Sequence, residues 1–128
     1  MNRLEARQVR RVVIGAAGVA NQDYVVPVGS ALIITNAEGQ HNDVAARVSG
    51  WSINFNDGMG FRDVAQPQTL APYGRFEFYT ATIAAWTQPL VLRAGMTLRF
   101  YVTGLVGAAI ASMEIIVDEY VGENPYAG

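Results

Sequence analysis

Apolar and polar positions alternate along much of this chain, with the period of two that puts one face of a β-strand in a core. The pattern is clearest over residues 76–83, Phe-Glu-Phe-Tyr-Thr-Ala-Thr-Ile. One phrase of this kind occurs twice. Residues 25–34 and 91–100 are each a short apolar run, a turn centred on glycine (Gly29, Gly95) and a second run with apolar residues two apart. Aligning the glycines also aligns Val25 with Val91, Val26 with Leu92, Leu32 with Leu98 and Ile34 with Phe100. Glycine suits such a turn because it adopts positive φ without steric cost. The two phrases are therefore expected to be equivalent strand pairs of a two-fold pseudo-repeat.

Further strands are predicted over residues 9–14, 44–56, 59–64 and 110–121. Asn56-Asp57-Gly58 supplies a hairpin signal between the second and third of these. Gly50, inside residues 44–56, predicts a bulge or bend. Residues 15–21 and 104–109 read as Gly/Ala loops, residues 36–43 as a polar loop, and residues 66–74, with Pro67 and Pro72, as a crossing loop. The only helical spacing lies in the first few residues. The expectation is an all-β protein: an antiparallel β-sandwich, jelly-roll or Greek-key, of about eight to ten strands with extended termini. Its organisation is an N-terminal arm over residues 1–8, one sandwich domain over 9–121 and a C-terminal tail over 122–128.

Composition changes this picture in one respect. The 128 residues are 51% hydrophobic and only 16% charged, against about 25% charged in typical soluble domains. A small domain so poor in charge is expected to cover part of its surface with other subunits. The net charge of −2 argues against nucleic acid as the main partner. No uncharged apolar run reaches the ~18 residues of a membrane span. Arg10-Arg11 followed by residues 12–20 has the outline of a short secretory signal, but Gly15 and Gly18 interrupt it, and it reads as a strand followed by a loop. With no cysteine, disulfides, thiolate nucleophiles and cysteine-based zinc sites are excluded.

Little in the chain suggests chemistry. A hydrolytic triad needs a base beside its nucleophile, and the lone histidine, His41, sits in Gln40-His41-Asn42-Asp43, read as a solvated turn. The stretch Asn54 to Gly58 breaks the alternation of a calcium loop. Asp118 and Glu119 are adjacent on a strand and point to opposite faces. Glu77 and Glu114 lie in alternating strands, where outward salt bridges are expected rather than a glycosidase pair. No phosphate-binding loop is present, since Gly104-Leu105-Val106-Gly107 lacks both lysine and a following helix. The expectation is a protein with no catalytic residues, no cofactor and no metal.

Two groups of residues offer binding instead. Trp51, Tyr73, Phe76, Phe78, Tyr79, Trp86 and Tyr101 are either a sugar-stacking platform or inward-facing core rings. Arg3, Arg7, Arg10 and Arg11 hold four of the nine basic residues. A helical start would line Arg3, Arg7 and Arg11 on one face, and arginine forks pair well with carboxylates on a neighbour.

Taken together, the two glycine-turn phrases, the absent cysteines, the Gly/Ala-rich loops and the extended termini resemble the small β-sandwich structural proteins of tailed-bacteriophage virions, particularly head decoration or cement proteins. The resemblance implies a homo-oligomer, often a trimer, that clusters on a capsid lattice in the virion and braces capsomers through loops and arms. It carries over no catalytic residues. The alternative is a carbohydrate- or receptor-binding sandwich of a phage fibre or tail, or of a secreted bacterial protein.

Overall fold

The computed structural model describes residues 6–78 and 91–122, and these form ten strands in two antiparallel sheets packed face to face. The strands are β1 (Ala6–Ile14), β2 (Asn21–Val25), β3 (Ser30–His41), β4 (Arg47–Asn54), β5 (Phe61–Asp63), β6 (Gln68–Leu70), β7 (Arg75–Phe78), β8 (Val91–Arg93), β9 (Thr97–Val102) and β10 (Ala111–Val121). One sheet has the order β1-β10-β3, with β7 and β8 both on the far side of β3; the other has the order β2-β9-β4, with β5 and β6 both on the far side of β4.

This order is that of a long antiparallel hairpin rolled on itself. β1 pairs with β10, β2 with β9, β3 with β7 and β8, and β4 with β5 and β6. The roll then brings β10 against β3 and β9 against β4. Eight strand positions wound this way make a jelly roll, two of the positions being split between a pair of short strands.

The repeated phrase explains the corners of the roll. In both copies the backbone closes a four-residue turn, Ser30 N–H to Pro27 O (3.2 Å) and Met96 N–H to Arg93 O (3.0 Å), with the glycine third. Gly29 and Gly95 have φ of 83° and 86°, the left-handed value that a type II turn requires at that place. Each turn carries the chain from one sheet to the other, in opposite senses, and the two copies are joined by Val26 N–H to Met96 O (2.9 Å) and Gly95 N–H to Val26 O (3.0 Å). A Cβ on Gly29 would meet nothing within 4 Å, so the backbone rather than space restricts that position. Valine at Gly29 or Gly95 is expected to destabilise the fold by about 1–2 kcal/mol or more, read from urea unfolding; an unchanged midpoint in both variants would contradict the assignment.

Between the sheets, Leu32, Ile34, Met113, Ile115 and Val117 face Trp51, Ile53, Leu98, Phe100 and Val102, all buried. The Trp51 and Phe100 rings lie 4.9 Å apart at 43°, and the Trp51 indole N–H donates to Phe76 O at 3.3 Å.

Three expectations need correction. β3 runs on to His41 through the segment expected to be a polar loop. The register slips between Ile116 and Val117, where Thr35 is the extra residue and its hydroxyl donates to Ile116 O at 2.9 Å. That bulge re-phases the strand: Leu32 and Ile34 point inward before it, Ala37, Gly39 and His41 after it. Second, Gly50 marks no bulge, because β4 and β9 pair without interruption from Ser49 to Asn54; Gly50 makes room for the Tyr101 ring. Third, the expected crossing loop contains β6, which pairs with Arg47 to Ser49. The expected strand over residues 76–83 is described only as far as Phe78, and residues 79–83 lie outside the described residues.

Candidate interaction surfaces

β1 begins at Ala6, so Arg7 is part of a strand rather than of a helical arm, and Arg7, Arg10 and Arg11 follow strand alternation. Arg10 faces outward and holds Glu114 with a fork, Nε to Oε1 at 2.7 Å and Nη2 to Oε2 at 2.9 Å. That bond keeps the Glu114 carboxyl below the usual range and raises the Arg10 guanidinium. Arg11 faces inward, with Nη2 3.2 Å from Oε2 of the buried Glu119. Its guanidinium is raised chiefly by the hydrogen bond to Tyr24 on β2. Arg7 lies opposite Glu119 in the ladder and is exposed. Arg3 lies outside the described residues.

The aromatic residues separate cleanly. Trp51 and Phe76 are core, at 0% and 6% exposure, so neither belongs to a surface platform. Tyr101 is half-buried on the outer face of its sheet, where its hydroxyl donates to Asp63 at 3.1 Å. Burial and Asp63 together push that phenol up. Tyr73 alone of the described rings stands well out. Tyr79 and Trp86 are outside the described residues, as is the side chain of Phe78.

At one end of the roll the loops over residues 15–20, 42–46, 71–74 and 103–110 meet. Asp43 ties three of them together. Its carboxylate accepts from Ala45 N (3.0 Å), Arg47 Nε (2.9 Å) and Val106 N (3.3 Å), and its carbonyl from Tyr73 N (3.1 Å). Asn42 adds a reciprocal pair with Ile110: Ile110 N donates to Asn42 Oδ1 at 2.7 Å, and Asn42 N donates to Ile110 O at 3.1 Å. Gly18 N donates to Ala109 O at 2.9 Å. The acid or base groups of these four loops are those of Asp43, which is turned inward, and Tyr73. Their tips present Val19, Val44 and Val106, all exposed. Solvated loops are normally polar; this end is apolar and without outward charge. The sequence showed the Gly/Ala loops, but only the topology shows that they converge.

The hydrogen bonds from Ala45, Arg47 and Val106 hold the Asp43 carboxyl below its ordinary value of about 3.9. A group depressed on folding stabilises the fold fully above its unfolded pKa, and that contribution fades as pH falls through the lower folded value. Asp57 and Glu114 are shifted the same way, by the Met59 N–H and by Arg10 respectively. The urea midpoint is therefore expected to drop as pH falls below about 4, and Asp43→Asn to lower it at pH 7 while flattening the acid limb. An acid limb identical in Asp43→Asn and wild type would contradict this.

On the outer face of the first sheet, beside the same end, is a groove of about 230 Å³. It is lined by Arg75, Gln40 and Ser112, which share one cross-strand row, with His41, Asn42 and Tyr73 at the strand ends and Ile110 beside them. His41, expected in a solvated turn, is 3% exposed. Its Nδ1 accepts from Asp43 N at 3.0 Å, which leaves the proton on Nε2. That buried Nε2 has no hydrogen-bond partner. The next row on this face sets Glu77, Glu38 and Glu114 side by side across three strands. Arg75 Nε reaches Glu38 at 3.3 Å, and Arg10 holds Glu114, so for Glu114 the outward salt bridge expected from the sequence is present. Among the described residues no group of three acidic or histidine side chains is placed to hold a metal ion. At the Asn54 to Gly58 turn, Asn54 and Asp57 oxygens are used by the N–H groups of Asn56 and Met59.

No family model and no curated protein matches the chain. Among solved structures it is similar to a chain in a structure of infectious bursal disease virus, Gx strain, at 15% identity and a TM-score of 0.27, over 88% of this chain and 42% of that one. The chain thus spans less than half of that neighbour. Among the described residues no helix is long and apolar enough to cross a membrane.

Proposed function

We propose that this protein is a virion structural protein, a decoration or cement protein that stabilises a phage head through lattice contacts. The observation that carries the reading is the charge-free loop end. Four loops fixed to one another by Asp43, Asn42 and the Gly18–Ala109 backbone bond present valine tips and no outward charge, a surface suited to burial against other subunits. The jelly-roll order supports it, because that architecture recurs in viral capsid domains, although it also serves lectins and cupins. In this reading the protein is a homo-oligomer, and Arg3 and Arg7 add charged contacts to neighbouring virion proteins; Arg10 and Arg11 are engaged within their own sheet.

The test is particle binding and sedimentation of the wild type beside Val44→Asp and Val106→Asp. Both substitutions are expected to leave the circular dichroism spectrum intact and abolish assembly. Binding of the wild type that persists through a salt series places the contact at the loop end, whereas binding that fades with salt places it on the arginines. A protein that stays monomeric at high concentration and never occupies a repeating position on particle images would overturn the reading.

A further inference from the structure

We infer that the groove beside Tyr73 is a binding site for a single neutral sugar residue, a function that goes beyond the structural role proposed above and does not depend on it. The backbone is unusual at the edge of the groove. Residues 71–74 form a turn closed by Gly74 N–H to Ala71 O at 2.9 Å, with Pro72 second and Tyr73 third. Tyr73 has φ of +58°, in the place where a type II turn calls for glycine or asparagine. A bulky side chain held there costs free energy, and such outliers gather at ligand sites. The cost does not secure packing, because Tyr73 is 61% exposed. What it does is hold an aromatic ring at the edge of the groove.

The groove fits a polyol. Along one cross-strand row stand the Arg75 guanidinium, the Gln40 amide and the Ser112 hydroxyl, continued by the exposed Ile14 opposite Ser112 on β1. Neighbours in such a row have Cβ atoms about 4.5–5.5 Å apart. Donors and an acceptor thus stand about 5 Å apart along the groove. A tyrosine face with an apolar body and a polar tip suits a sugar ring, which is apolar on its face and polar at its rim. At about 230 Å³ the space falls below the roughly 300–1,000 Å³ of drug-sized sites, so one ring is accommodated rather than a chain. Charge bears on the class. Among the described residues, Arg75 is the one charged residue of the lining and is already paired with Glu38, and Glu77 and Glu114 stand in the next row, so an anionic sugar finds no free cation in the groove.

The experiment is an amide-resolved NMR titration of the whole protein with glucose, galactose, mannose, N-acetylglucosamine and glucuronate. At least one neutral sugar is expected to give saturable shifts centred on Gln40, Asn42, Tyr73, Arg75 and Ser112. Tyr73→Gly is expected to weaken that binding at least tenfold while leaving Tm equal or higher, since glycine takes positive φ freely. Tyr73→Asn provides a second variant that tolerates this backbone, and Arg75→Ala should weaken binding as well. Absence of saturable shifts with every neutral sugar overturns the inference. So does undiminished binding by Tyr73→Gly, tighter binding of glucuronate than of any neutral sugar, or a fall in Tm in both Tyr73 variants, which would make the ring a structural prop. Loss of particle assembly by Val44→Asp leaves these outcomes untouched, so the two readings fail separately.

Discussion

Trp51→Ala is expected to destabilise the protein by about 3–5 kcal/mol, the range for removing a large aromatic from a core. That is a fifth or more of the stability of a typical domain. Trp51 has no exposure, packs on Phe100 at 4.9 Å and donates its indole N–H to Phe76 O. Alanine therefore leaves a cavity at the middle of the sandwich and a buried carbonyl with one donor fewer. Chemical denaturation followed by circular dichroism measures the effect, and a loss under about 1 kcal/mol, within the reach of an exposed site, would show that the ring is not part of the core.

The second large effect is expected on the other side of the same stack. A Cβ on Gly39 would run into three atoms of the Phe100 ring, and that ring is fully buried with Trp51 against it. Gly39→Ala is expected to cost about 3 kcal/mol, the upper end of the range for overpacking, because the ring has nowhere to go. The two substitutions should not add. Trp51→Ala opens the space into which Phe100 must retreat, so the double variant is expected to be more stable than the sum of the single losses predicts, as is usual for residues sharing a cavity. Strict additivity would mean that the ring does not move.

These residues also show how much was legible in advance. The alternation, the Gly29 and Gly95 turns and the Asp57-Gly58 hairpin all follow local rules, so they were visible along the chain and led to the sandwich. His41 was misplaced because its strand changes phase at Thr35, and a bulge depends on the partner strand. The inward positions after it, Ala37 and Gly39, are small because Phe100 and Trp51 fill the space, so the segment lost the apolar signature by which strands are found. β6 was hidden for a similar reason: three residues between Pro67 and Pro72 are too few to show a period. Arg3, Arg7 and Arg11 were grouped by a helical spacing, whereas Arg7 to Arg11 belong to a strand, whose alternation sends Arg10 and Arg11 to opposite faces. The groove at Tyr73 depends on positive φ at a residue that carries a side chain, and nothing in the local sequence announces that.

The pairing of β1 with β10 also has a consequence in time. They are the first and last strands of the described residues, and their ladder joins Val9 to Val117, about a hundred residues apart. At translation speeds of about 5–20 residues per second, β1 waits roughly 5–20 s for its partner. For that interval it is an unpaired strand containing Val9, Val12, Val13 and Ile14, the sort of segment that sticks to its own kind. Arg7, Arg10 and Arg11, spaced through it, are charges of the kind that interrupt such segments. Once β10 arrives, Glu114 and Glu119 neutralise Arg10 and Arg11. The charges that interrupt the strand before pairing thus become two of the bonds that hold it afterwards.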